Sequence, residues 1–388
     1  NDAFKINTKP VLIEPEVQHT EFVFKLPNIK ESTNIELNSI KAVDLRNRNK
    51  TDLYNSFFKV GFGSRLSPYI DFYHSKNKKG DYNFIANFYH YSSFNNIPDY
   101  SPSPFSNTSE VVTYQKFLDN HILDLGIKFG LKTNRYYGYI PDDFPTVTIP
   151  DNELKQMFNL IQANVGFSSN YKRKNKLHHE IGLTAYYYFD RHKTSEMNTK
   201  FNFDLHKGFD VVDVLDYQNL GIKWVFDFYS NSDSLVNSSE FYFGATPYFT
   251  ANYGAFNFNA GINLGLLNTN NSTFHFWPDV EVQMNVVPEI FTIFAGIKGG
   301  MEKQSYFSLT EENPYLSSVS QLKWMNEKIN VFGGLKLSIA QIAGFQIKTG
   351  WRTFEDMGFF INTSEYQTPA QIPFGPLHKF TTAFDDGN

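Results

Sequence analysis

The residues of this chain that could do chemistry are its histidines and carboxylates, and their spacing offers little. His178-His179-Glu180 is the one compact group of His and Glu. In a strand alternate side chains point to opposite faces, so His178 shares a face with Glu180 while His179 points away, and the two imidazoles cannot chelate one ion. His206 and His275 stand singly on polar stretches. Asp279 and Glu281 lie two apart and share a face; like charges at that distance raise one pKa, and a paired-acid glycosidase is conceivable. A salt-bridged interior is the stronger expectation, because a neighbouring strand offers Lys298 to Glu281. No Ser, His and acid set can be placed by spacing. With no cysteine, disulfide frameworks and thiolate metal sites are excluded. The expectation is therefore no catalytic, cofactor-binding or metal residue, no cofactor and no enzyme.

The elements that would carry these side chains are strands. Phe256 to Leu267 reads Phe-Asn-Phe-Asn-Ala-Gly-Ile-Asn-Leu-Gly-Leu-Leu, apolar on every even position and mainly Asn or Gly on the odd ones. The same period of two recurs from Leu53 onward in fourteen candidate strands separated by turn-like clusters such as Asn77-Lys78-Lys79-Gly80-Asp81 and Asn268-Thr269-Asn270-Asn271-Ser272. Strands joined by such short turns must be antiparallel neighbours. Residues 1–50 lack long alternation and read as an N-terminal extension, plug-like or periplasmic, before a barrel over 51–388.

Composition decides which way the apolar faces point. The chain of 388 residues holds 40 Phe and 23 Tyr with a formal charge of −5, and its mean hydropathy is −0.39. No apolar run is long enough for a transmembrane helix, but a membrane β-strand needs only about 9–11 residues, half of them polar. Inward Phe from so many strands would overfill a soluble core. The strands exceed the usual five or six residues, which suits a tilted crossing. Tyr136-Tyr137, Tyr186-Tyr187-Tyr188, Tyr89-His90-Tyr91 and Phe276-Trp277 stand near strand ends, where an interfacial aromatic girdle belongs. The fold class expected is all-β, an antiparallel transmembrane β-barrel of about fourteen strands in the outer membrane of a Gram-negative bacterium. The alternative is a soluble or surface all-β protein that binds glycans. No basic stripe suits a nucleic acid.

In an outward-facing arrangement the polar strips line a lumen. Candidate lumen residues are Lys128, Lys132, Lys223, Asp227, Asp279, Glu281, Lys298, Lys348 and Arg352, giving either a weakly selective pore or a cross-linked interior. Glycines on the same faces allow curvature or close approach of something inside. Three long connections, Phe94 to about Asn120, Asn134 to Gln156 and Glu302 to about Lys328, are candidate functional loops, with Tyr100, Tyr139, Tyr315 and Trp324 as exposed aromatic binders. Strand parity does not put all three at one end, which an undetected strand in Glu110 to Phe117 would explain.

Asp2-Ala3-Phe4-Lys5-Ile6-Asn7, Lys9-Pro10, Leu53-Tyr54 leading into Val60-Gly61-Phe62-Gly63, Tyr136-Tyr137-Gly138-Tyr139, Trp277-Pro278-Asp279-Val280-Glu281 and Glu312-Asn313-Pro314-Tyr315-Leu316 follow one another in an order that resembles the TonB-dependent-receptor-like barrel proteins of Bacteroidota. The resemblance spans most of the chain and implies an outer-membrane β-barrel. Residues 1–50 are too few for a full plug domain and contain no evident TonB-box, so energised import is not expected. The chain opens at Asn1 with no initiator Met and no apolar leader, so a signal peptide, if there was one, is expected to have been removed or left out. The end, Phe384-Asp385-Asp386-Gly387-Asn388, reads as the turn after a strand from Lys379 to Phe384. If the chain continues beyond it, fourteen is a lower bound. The function expected is a passive channel, or a scaffold within an envelope complex for secretion or barrel assembly. Its partners would be outer-membrane lipid, other envelope proteins and, for an open channel, small solutes.

Overall fold

The computed structural model describes residues 54–78, 80–136, 140–143, 151–339, 343–362 and 379–387. The expected N-terminal extension lies outside the described residues. Sixteen strands form one sheet in chain order, each antiparallel to the next. The first eight are β1 Ser56–Gly63, β2 Ser67–Lys78, β3 Tyr82–Ser93, β4 Phe105–Phe117, β5 His121–Arg135, β6 Lys155–Ser169, β7 Leu177–Asp190 and β8 Ser195–Phe209. The remaining eight are β9 Tyr217–Ser232, β10 Asn237–Tyr253, β11 Phe256–Asn268, β12 Ser272–Val287, β13 Phe291–Lys303, β14 Trp324–Ile339, β15 Ala343–Asn362 and β16 Phe380–Gly387. Two short helices, α1 Asp151–Leu154 and α2 Tyr306–Glu312, lie in the connections.

The apolar strips face outward. On β5, Leu125, Ile127, Phe129 and Leu131 are exposed while Gly126 between them is buried. On β11, Phe258, Ala260, Ile262 and Leu266 are exposed while Gly261 and Gly265 are buried. A meander that turns its Phe, Leu and Ile away from its own interior needs an apolar solvent, and this is the geometry of a membrane barrel rather than of a soluble sandwich.

The two strands beyond the expected fourteen are β4 and β16. Register explains why β4 escapes a hydropathy reading. Glu110 pairs with Phe129, Thr108 with Leu131 and Val112 with Ile127, so the outward face of β4 carries Ser106, Thr108, Glu110, Val112, Tyr114 and Lys116. The usual greasy strip is missing there. Once β4 is counted, the strands that lead into the long connections, β3, β5, β13 and β15, are all odd-numbered and finish at one end of the sheet. Among the described residues, the opposite end has the shorter turns 118–120, 170–176, 210–216, 254–255 and 288–290.

Candidate functional site

The site lies inside the wall, at the long-connection end, and is built around residues 304–323 between β13 and β14. Ser305 caps α2, its hydroxyl accepting from the Ser308 amide. A helix this short has little stability of its own, so the wall must hold it. Phe158, Leu160 and Tyr188 from β6 and β7 form a buried cluster with Tyr306, Leu309 and Leu316. Phe158 and Tyr188 are stacked with centroids 5.8 Å apart, and the Tyr188 hydroxyl lies 2.7 Å from Thr310 Oγ1. A second cluster, Tyr229, Tyr242, Trp277 and Trp324, continues the aromatic lining around β9, β10, β12 and β14.

Polar clamps fix the segment along its length. At its base, Lys303 Nζ meets Glu240 Oε2 at 2.5 Å, and the Trp324 indole N–H donates to the same oxygen at 2.7 Å. Gln304 Nε2 donates to the Asp356 carbonyl at 2.6 Å. Glu196 Oε2 accepts the Tyr306 amide at 2.8 Å, and its Oε1 accepts the Phe307 amide at 3.2 Å and the Tyr186 hydroxyl at 2.8 Å. Asp190 accepts from the Tyr306 hydroxyl and from Gln156 Nε2, each at 2.9 Å, and from the Ser318 hydroxyl. Burial, reinforced by the Asp190 carboxylate, pushes the Tyr306 hydroxyl well above the ordinary tyrosine pKa, so it stays a donor. Asp190 and Glu196 stand at the two ends of the β7–β8 turn, which makes that hairpin the principal latch. Farther along, Asn134 Nδ2 donates to the Pro314 carbonyl at 3.0 Å, and Phe380 of β16 exchanges backbone bonds with Tyr315 and Ser317 at 3.0 and 2.7 Å. One segment thus ties β5 to β16 across the interior.

No family model and no curated protein sequence matches the chain. Solved structures do. The pyoverdine outer membrane receptor FpvA of Pseudomonas aeruginosa, bound to pyoverdine, matches with a TM-score of 0.53 at 11% identity over 85% of this chain and 57% of that one. The siderophore receptor PirA of the same organism gives 0.53 at 8% identity, covering 86% and 60%. The iron transporter FrpB of Neisseria meningitidis gives 0.54 at 10%, covering 79% and 56%. The fold is that of an outer-membrane receptor barrel. This chain spans between half and three-fifths of the length of those receptors.

Within this barrel the expected lumen residues are spread over several positions. Asp227 is buried, accepts from Asn198 Nδ2 at 2.6 Å and lies 3.3 Å from Lys200 Nζ. Lys298 pairs with Glu281 at 2.8 Å as the sequence suggests, although its register partner is Asp279. Arg352 reaches Glu327 at 3.8 Å. Lys223 rides over Tyr248 at 4.9 Å and Lys348 over Phe332 at 4.1 Å, cation–π placements that need no carboxylate. Lys128 and Lys132 line a small cavity of about 170 Å³ against α2, where Lys132 Nζ lies 3.3 Å from Glu311 Oε1. Among the described residues, no group of three or more His, Asp or Glu could hold a metal ion.

The loop candidates fare differently. Tyr100 is exposed in connection 94–104, and Tyr139 lies outside the described residues. Tyr315 is on the inner segment. Trp324 is a correction: it opens β14 rather than standing on a loop, and at 6% exposure its ring is committed to Glu240 and the second aromatic cluster. The girdle assignment also needs correcting in part. Tyr187 faces outward, but Tyr136, Tyr188 and Trp277 are buried, because they share the parity of lumen residues and pack on the inner segment or on each other. Asp190, Glu196 and Tyr306, the centre of the clamp, are the residues that sequence reading misses. The available signal was parity, since Trp277 lies two residues before Asp279 and Tyr229 two after Asp227.

Proposed function

We propose that the protein is an outer-membrane transport barrel whose lumen is kept closed at its outward end by its own β13–β14 connection, so that it is a gated receptor rather than a passive channel. One observation carries this reading: residues 304–323 cross the interior and are held by the buried carboxylates of Asp190 and Glu196 on the β7–β8 hairpin, by Asn134 of β5 and by backbone bonds to Phe380 of β16. Orientation follows from the connections, because outer-membrane barrels keep short turns on the periplasmic side and longer loops outside. Among the structures with this fold are a pyoverdine receptor bound to pyoverdine, a siderophore receptor and an iron transporter, which supports a transport role over a purely structural one.

Planar-bilayer recording tests the reading. Intact protein is expected to show no steady conductance, and a variant with residues 305–321 replaced by a short Gly-Ser linker is expected to conduct while keeping the heat-modifiable migration of a folded barrel. Equal steady currents from the two proteins would sink the proposal and restore the passive channel.

A further inference from the structure

At the rim, between the ends of β3, β4 and β5 and the inner segment, lies a cavity of about 660 Å³. That is within the range of small-molecule sites, which run from about 300 to 1,000 Å³. Three cations line it, Arg65 from the β1–β2 turn and Lys132 and Arg135 from the end of β5, and its described lining has no carboxylate. Arg65 leans onto connection 94–104, with Nη1 3.5 Å from the Asn96 carbonyl. Lys132 also pairs with Glu311, its Nζ 3.3 Å from Oε1, and both residues line the adjoining smaller cavity. The wall between the cations is aromatic. Tyr91 and Phe105 meet edge to face with centroids 5.5 Å apart, each 38% exposed, and Tyr315 closes the opposite side.

Positive charge beside open ring faces selects for a ligand that is both anionic and planar. A guanidinium holds a carboxylate through paired N–H donors, an ammonium adds a point charge, and offset or edge-on ring contact favours an aromatic body over an aliphatic one. We propose that this rim vestibule is a binding site for small aromatic carboxylates, with Arg65 and Lys132 taking the carboxylate and Tyr91 and Phe105 the ring. The proposal rests on the outward orientation given above and adds the substrate class. Because Pro314 and Tyr315 belong to the inner segment, a bound ligand touches wall and closure together.

The test is calorimetric titration of the full chain, folded in a non-ionic maltoside detergent, with phthalate as the probe. Saturable binding of phthalate is expected, at least tenfold tighter than that of the neutral analogue phthalamide and of inorganic sulfate. The double variant Arg65→Gln with Lys132→Gln should weaken phthalate at least tenfold while its heat-modifiable migration stays unchanged, and Tyr91→Leu should weaken phthalate without altering sulfate. Absence of saturable binding, phthalamide binding as tightly as phthalate, sulfate matching phthalate, or a double variant with unchanged affinity would each overturn the assignment. Bilayer currents separate the two readings: a conducting protein that still binds phthalate loses only the closure, and a closed one that ignores phthalate loses only this site.

Discussion

The two halves of the lumen are built on opposite principles. At the long-connection end the inner wall is aromatic and dry, with Tyr188, Tyr229, Tyr242, Trp277 and Trp324 buried against one another or against the inner segment. Its carboxylates, Asp190, Glu196, Glu240 and Asp356, are all engaged by groups of residues 303–323 or by Trp324. Toward the short-turn end, residues 343–352 of β15 are exposed on both faces, because β16 pairs only with Phe354 and residues 357–362 of that strand. There lysines sit over rings, as Lys348 does over Phe332 and Lys336 over Phe294, and keep their charge toward water. One half is therefore organised around an inserted segment and the other around buried rings capped by lysines.

The largest effect is expected at the latch. Glu196→Ala leaves the Tyr306 and Phe307 amides and the Tyr186 hydroxyl without their buried acceptor. Hydrogen bonds to a charged group contribute about 1.5–3 kcal/mol each, so docking of the inner segment should weaken by about 3 kcal/mol even after water compensates in part. Hydrogen exchange read by mass spectrometry on peptides covering 305–312 should then run on the order of 100-fold faster, since 1.4 kcal/mol is a factor of ten. Exchange at the wild-type rate would show that the aromatic cluster alone holds the helix, and the contrast between the halves would reduce to packing.

A pair of glycines sharpens the same contrast at smaller scale. A Cβ on Gly265 would lie 2.7 Å from both Trp277 and Tyr242, rings that the wall cannot easily move. A Cβ on Gly182, nearer the short-turn end, would meet the Asn202 Cβ at an ordinary 4.0 Å. Overpacking of this kind costs about 1–3 kcal/mol. Gly265→Ala should lower the unfolding midpoint in urea-titrated vesicles accordingly, and Gly182→Ala should leave it unchanged. A matching loss in both variants would mean that glycine serves backbone curvature at both positions rather than ring placement at Gly265. The Asn and Gly strip of β11 is thus no open approach for a solute, because at Gly265 the space belongs to rings from β10 and β12.

How much of this was legible in the sequence depends on what a period of two can encode. It separates lipid side from lumen side, and residues such as Ile127 and Lys128 or Leu266 and Gly265 stand where that separation puts them. It cannot say which polar-parity position faces water and which faces a buried segment. Tyr186-Tyr187-Tyr188 shows the limit, with aromatic side chains on both faces and no alternation to read. Strand β4 shows the converse, an outward face polar enough to hide the strand. The inner segment was visible only as a long connection, because seven helical residues are too few for a 3.6-residue repeat and their stability comes from distant strands. For the rim vestibule, Lys132 and Tyr315 were legible as candidates, whereas Arg65 and Tyr91 reach them only through the fold.

The smallest expected effect concerns pH and the latch hairpin. His192 lies in the β7–β8 turn, where burial holds its pKa below the ordinary histidine value; Lys379 and Arg191 push the same way and Asp190 opposes them. Among the described residues its Nε2 is buried without a hydrogen-bond partner. The folded hairpin therefore takes up a proton less readily than the unfolded one. Its stability is fully present above the unfolded pKa near 6.5 and is lost as the pH falls from there to the lower folded value, beyond which no further loss accrues. Between pH 7.5 and 5.5, exchange of the amides in 190–194, corrected for intrinsic rates, should rise by less than about tenfold, the equivalent of one pKa unit. His192→Asn should abolish the rise. Because the Thr194 and His192 amides both donate to Asp190 Oδ1, at 2.9 and 2.8 Å, loosening this turn acts on the carboxylate that holds Tyr306. A rise that persists in His192→Asn would move the pH response from the turn to the carboxylates of the upper lumen.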